Sequence, residues 1–336
     1  MKVLSILCIL GVSMNLTVAQ SELPKFVAKP DKVYKSIKYD SPKDYKMPLK
    51  KMSEGPKRVA LVSFFTFDPG FTKTYFYSTS SHHISGTQTR GSGGNSGDLA
   101  VAFYENGIND LVTTFAEYGM ELLTPEQFLT SDEMTAAYHA FEIEKAKRNL
   151  VNWASKLGES GHETAWGYPE GFIITDIVYE PFVNYTSSGG ALSKFKAMKY
   201  KDKVPDKLAF YSNNDTKMMS SLGEGLAKIL NVDAVLIIYS TIYCPNEKQI
   251  YLQNVNMQMF GPNPKNLIPG NETKEPGRFY SRGLCYPGTR FTARVPVVSI
   301  NKKKPETANI DATGYSVIMT QMAKKMGDKI KKELKK

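Results

Sequence analysis

The chain has 336 residues, 41% of them hydrophobic and 23% charged, enough apolar material for one large domain or two small ones with an ordinary core. That balance excludes a disordered or fibrous chain. The net charge of +10 is spread along the sequence, with one cluster at the end.

The first twenty residues, M-K-V-L-S-I-L-C-I-L-G-V-S-M-N-L-T-V-A-Q, place a lysine before an apolar stretch and end in small residues, the pattern of a cleaved secretory signal. Cys8 lies between Leu7 and Ile9, without the small residues that precede a lipid-modified cysteine, so no lipid anchor is expected. Beyond this segment no stretch approaches the roughly 20 apolar residues of a membrane-spanning helix. The mature chain, starting near Ser21, is therefore expected to be secreted or periplasmic, with membrane contact only peripheral.

Residues 21–56 are rich in lysine and proline with little apolar periodicity, and read as an extended arm. A single α/β domain is expected over 57–336, with irregular insertions at 68–97, 184–214 and 261–289. Its first strong element, Lys57 to Asp68, is β-branched and aromatic and is closed by Pro69-Gly70, as a central strand would be. Phe71 to Arg90, rich in Thr, Tyr and Ser, can pair as a hairpin or remain a long loop.

The segment T-R-G-S-G-G-N-S-G-D, Thr89 to Asp98, leads into a helix. It lacks the lysine that opens a P-loop helix, and Asp98 would repel a phosphate there. Its glycines also lie about thirty residues from the start of the strand, whereas a dinucleotide fingerprint turns directly from strand to helix. A hinge closing on a helix capped by Asp98 is the reading that survives. In that helix Val101, Tyr104, Ile108, Leu111, Val112 and Phe115 form an apolar stripe, and Gly119 ends it.

Met120 to Thr124 reads as a short strand, followed by a helix running to about Leu157 and a strand over Gly171 to Phe182. A helix carrying Met219, Leu222, Leu226, Ile229 and Leu230 on one face leads into Ala234 to Cys244, apolar on both faces like a strand in the middle of a sheet. The next segment alternates from Val255 to Met259, as an antiparallel strand with one wet face does, so the two are expected to form a hairpin. Arg290 to Ile300 gives an edge strand, because Pro296 cannot donate to a ladder. A terminal helix is expected to bury Tyr315, Ile318, Met319, Met322, Met326 and Ile330.

Chemistry-bearing residues are sparse. His82, His83, His139 and His162 form no metal spacing, no G-x-S-x-G elbow occurs, and neither mature cysteine has a nucleophile's context. No cofactor or metal is therefore expected. Cys244 and Cys285 form an even pair, a candidate disulfide in an oxidising compartment. Tyr75, Phe76 and Tyr77 are the candidate partner surface if the Phe71 to Arg90 segment forms a hairpin; packing against the adjoining sheet is the competing reading. Lys324, Lys325, Lys331, Lys332, Lys335 and Lys336 form a candidate basic patch, or else complement a helix C-terminus.

The stretch R-V-A-L-V-S-F-F, followed by D-L-V-T-T-F-A-E-Y-G-M-E-L-L-T-P-E-Q-F, resembles the opening of CsgG-like and TolB amino-terminal-like bacterial envelope domains. L-G-E-G-L-A-K-I-L-N-V-D-A-V-L-I-I-Y-S-T-I, Leu222 to Ile242, is similar to the same families' helix, aspartate and buried strand. The resemblance implies a CsgG/TolB-N-like layered architecture, a mixed sheet with helices packed on it. It also implies a non-catalytic cell-envelope protein that binds other proteins in secretion, assembly or regulation of surface machinery, with a homo-oligomer among the options.

The V-A-Q ending and lysine-rich style are similar to those of Bacteroidetes envelope proteins, so no glycan is expected at Asn184, Asn214 or Asn271. Curli-channel relatives are lipoproteins with pore-forming hairpins, and the missing lipid signal speaks against that role. Two alternatives stay open. One is a secreted hydrolase with a carboxylate pair in the long loops; the other is a protein binding anionic surfaces through the terminal lysines.

Overall fold

Eleven residues of β-branched and aromatic character, Arg58–Asp68, form strand β2 at the heart of the molecule. The computed structural model describes residues 23–39, 54–68, 71–78, 83–90, 96–141, 165–167, 169, 171–172, 221–246, 249–262, 284–299 and 312–334. Outside them lie the segment expected to be a signal, the 184–214 excursion, most of Gly171 to Phe182, the helix expected beyond Phe141, and the three asparagine triplets.

The elements in chain order are α1 (Pro30–Ser36), β1 (Lys38–Tyr39), β2, β3 (Phe71–Ser78), β4 (His83–Arg90), α2 (Ser96–Glu117), β5 (Glu121–Leu123), α3 (Pro125–Phe128), α4 (Asp132–His139) and β6 (Ala165–Gly167). A wide helical turn over Ser221–Leu226 then runs into α5 (Ala227–Ile229), followed by β7 (Ala234–Asn246), β8 (Gln249–Gly261), β9 (Leu284–Ser299) and α6 (Thr313–Leu334).

Seven strands make one mixed sheet in the order β1-β9-β8-β7-β2-β5, with β6 also pairing with β2. β2 lies parallel to both β5 and β7, while β7, β8, β9 and β1 are successively antiparallel. Helices cover both faces, as the α/β expectation requires.

On one face α2 and α6 pack over Val59, Leu61, Phe64, Leu236, Ile238, Met257 and Met259. On the other, Phe128, Tyr138, Leu222, Leu226 and Leu230 cover Ala60, Val62, Phe65, Val235, Ile237 and Tyr239. Strands buried on both sides read as continuous apolar runs, which explains why Ala234 to Ile242 carries no alternation. A bulge at Leu61/Ser63 interrupts the β2–β7 register, and the buried Tyr138 hydroxyl donates to the Val62 carbonyl at 2.7 Å.

Several expectations meet different facts. The arm is not simply extended: Leu23, Val33 and Ile37 are buried, and α1 and β1 dock it against α6 and β9. Proline at the first turn of α1 starts a helix that lysine-rich composition conceals. The buried face of α2 is wider than its expected stripe: Leu111 and Phe115 are buried and Tyr104, Ile108 and Val112 pack against the core as expected, and the burial extends to the N-terminal turns. Leu99, Ala100, Phe103, Leu111 and Phe115 are buried while Val101 is exposed, because α2 must meet both the sheet and α6.

Ile229 is likewise exposed, and the wet face expected of β8 is absent, since Asn256 and Gln258 are buried with their neighbours. β9 begins at Leu284, so the last part of the irregular 261–289 segment is strand. All six apolar residues named for the terminal helix are buried in α6.

The register also separates the two cysteines. Cys285 pairs with Phe260, and Phe260 pairs with Val235 on its other side, nine residues of β7 from Cys244. At about 3.3 Å per residue that is about 30 Å along the sheet, whereas a disulfide holds its Cα atoms within about 7 Å. A bond between them inside one chain needs a different register of β8 or β9. Alkylation of the mature chain under denaturing, non-reducing conditions is expected to label both Cys244 and Cys285; no labelling would show them bonded and the register wrong.

Candidate interaction site

β3 and β4 form a two-stranded ladder that, among the described residues, pairs with no strand of the main sheet. It leaves directly from the end of β2, with two residues between Asp68 and Phe71, and returns through the glycine segment to Ser96 at the start of α2. The register runs from Phe71↔Arg90 to Ser78↔His83 without a shift.

Strand alternation therefore assigns Phe71, Lys73, Tyr75 and Tyr77, with their partners Arg90, Gln88, Gly86 and Ile84, to one set of positions. The other set holds Thr72, Thr74, Phe76 and Ser78, opposite Thr89, Thr87, Ser85 and His83. The expected surface triplet is thus divided, Tyr75 and Tyr77 in one set and Phe76 in the other. Gly91, Gly93 and Gly94 lie outside the described residues. The strand entering that segment is β4, which among the described residues pairs with β3 and with no strand of the main sheet.

The basic cluster has a different fate. Lys325 Nζ donates to the Tyr34 carbonyl at 3.0 Å and to the Ile37 carbonyl, and lies 5.0 Å from the centre of the Tyr34 ring. Lys331 Nζ sits 4.2 Å over the Tyr118 ring. Asp328, between them in α6, accepts from Tyr34 and Tyr118 hydroxyls, each at 2.8 Å.

This clasp ties α1, the end of α2 and α6 together. Gly327 lets the Tyr118 ring lie on the α6 backbone, and Gly314 lets the Leu23 carbonyl approach it; a β-carbon at either would collide. Lys324 is half-buried, Lys332 is exposed, and Lys335 and Lys336 lie outside the described residues. Two of the four described lysines thus work inside the fold.

The tyrosines feel this environment. The hydrogen bond to Asp328, followed by burial, raises the Tyr34 pKa. Burial first and Asp328 second raise that of Tyr118, and burial does the same for Tyr315, whose hydroxyl is 2.6 Å from Ser240 Oγ. Tyr104, packed edge-on against Phe64 and Phe172, is pushed up to about 12 by burial and then by Glu126.

Asp233, noted in the sequence only as part of a resemblance, sets the start of the central pair. Its Oδ2 accepts from the backbone amides of Lys57 and Arg58, both at 2.9 Å, and its own amide donates to the Arg58 carbonyl. Asp328 and its tyrosines escaped the sequence reading altogether. The one available signal was an acid directly after Gly327 in a lysine-rich helix.

Among the described residues no group of three His, Cys, Asp or Glu side chains converges as a metal site, and no helix is long and apolar enough to cross a membrane. His83 lies in β4 and His139 in α4, while His82 and His162 lie outside the described residues. No protein-family model, curated protein or solved structure matches the chain.

Two outcomes follow from the clasp and the tyrosines. Burying a Leu contributes about 1.5–3 kcal/mol and a hydrogen bond about 0.5–1.5 kcal/mol, so the apolar anchors hold the arm and the clasp orients it. Leu23→Ala should therefore cost about 2–3 kcal/mol in urea unfolding and Asp328→Ala about 1 kcal/mol; the reverse order would contradict this division.

Tyr104, neutral in the fold up to about pH 12, ionises in the unfolded chain from its ordinary value of 10.0. Its contribution to stability is complete below pH 10 and lost as pH rises towards 12. Thermal melts from pH 9 to 12 should fall less steeply for Tyr104→Phe than for the native chain.

Proposed function

We propose that this is a non-catalytic envelope protein, secreted or periplasmic, that binds another envelope protein through the β3–β4 hairpin. The observation carrying this reading is a sixteen-residue ladder, β3 with β4, that takes no part in the seven-stranded sheet. A two-stranded ladder is marginally stable on its own and gains by adding a strand or packing surface. Its place, between the end of a core strand and the start of a core helix, mounts the ladder on the core.

The N-terminal signal pattern supports export. A strand-helix-strand opening followed by a helix, an aspartate and a buried strand supports kinship with CsgG-like and TolB amino-terminal-like domains. In keeping with that kinship, the chemistry of the described core is packing: Leu222, Leu226 and Ala234 to Ile238 are buried among other apolar side chains.

Replacing Phe71 to Arg90 by a short glycine-serine turn is expected to leave far-UV circular dichroism and the melting temperature nearly unchanged. The same variant should lose co-purification with its envelope partner from native membranes. Retention of the partner by a folded deletion variant would refute the reading.

A further inference from the structure

The hairpin has an unusual charge pattern that the binding role alone does not explain. From Pro69 to Gly97 the chain contains no Asp or Glu, and its fixed charges are Lys73 and Arg90. Asp68 and Asp98 bracket this segment at its two ends. The register brings the two cations to the same set of alternate positions, with Lys73 opposite Gln88 and Arg90 opposite Phe71. They are thus diagonal neighbours across the ladder.

The two edges of the hairpin are not equivalent. β4 is the strand that approaches β7 of the main sheet, and it continues towards α2. β3 has β4 on one side and, among the described residues, no strand on the other. Its outer edge is eight residues long, Phe71–Ser78, without proline or a bulge. A straight edge of this kind accepts an added strand through backbone hydrogen bonds, and the neighbouring side chains select which strand.

Resting on the binding role given above, we infer that the outer edge of β3 takes up an extended, acidic segment of the partner protein as a third strand. Carboxylates on that strand would fall beside Lys73 on the adjoining strand, with Arg90 one strand further across at the same set of alternate positions. The remaining charge of the chain, +10 overall, favours the same sign of partner at longer range. A second copy of this chain is a poor occupant for that edge, because edge-to-edge pairing would bring the same uncompensated cations together.

The test uses the full mature chain and two dye-labelled octapeptides, one alternating Val and Glu, the other alternating Val and Lys, matched to the length of β3. In low salt the Val/Glu peptide should bind by fluorescence anisotropy, weaken on raising NaCl to about 0.5 M, and protect β3 amides from hydrogen exchange in preference to those of β4. The Val/Lys peptide should not bind. The double variant Lys73→Glu/Arg90→Glu should weaken Val/Glu binding about tenfold, as two rim charge pairs would, and should gain binding to Val/Lys.

Equal binding of both peptides, binding of neither, or exchange protection on β4 in place of β3 would overturn the inference. Exchange protection on the native chain decides the matter even if the double variant folds poorly. If the charge-reversed chain still captures the envelope partner while the hairpin deletion does not, the acidic-strand inference fails and the binding role stands. If the deletion also captures it, the binding role itself fails.

Discussion

The parallel pairing of β2 with β7 is the constraint from which the rest of the fold follows. Both strands are apolar on both faces, so neither can lie at a solvated surface, and each face demands its own helical cover. That demand places α2 and α6 on one side and the helical turns around Tyr138 and Leu222 to Leu230 on the other. Asp233 fixes where the pair begins, by accepting from the amides of Lys57 and Arg58, just before and at the start of β2, while standing immediately before β7. Since the side-chain period of a strand is two, a slip of one residue here would turn both core faces inside out.

Around that pair the molecule divides its work between apolar anchoring and polar orientation. Tyr315 illustrates the combination. It stacks on Phe103 with ring centres 4.0 Å apart, and its hydroxyl meets Ser240 of β7, so α6, α2 and the sheet converge on one buried side chain. The N-terminal arm repeats the arrangement at the periphery, where Leu23, Val33 and Ile37 supply burial and the Asp328 clasp supplies direction. The terminal lysines are accordingly less a free patch than their sequence suggests, since Lys325 is a tether and Lys331 covers an aromatic ring.

The hairpin stands apart from the main sheet among the described residues. It is rich in Thr, Ser and Tyr in a run without acids, and its ladder is closed on itself among the described residues. A core strand feeds it and a core helix receives it, so its root is held by the most buried part of the protein.

The sequence alone determined the elements whose residues announce their own environment. The runs Val59 to Phe65 and Ala234 to Ile242 specified central strands, the stripe Tyr315 to Ile330 specified the buried side of α6, and Gly119, at φ +77°, ended α2. Periodicity and turn chemistry are local, and local information suffices for them. It did not suffice where burial depends on two neighbours at once. The widened buried face of α2, the buried Asn256 and Gln258, and the docked arm all reflect packing partners distant in sequence. The same holds for Asp328, whose tyrosine partners lie 210 and 294 residues away, and for the separation of Cys244 from Cys285. Only the tertiary structure decides such matters, because strand order and register, and not composition, fix which distant side chains meet.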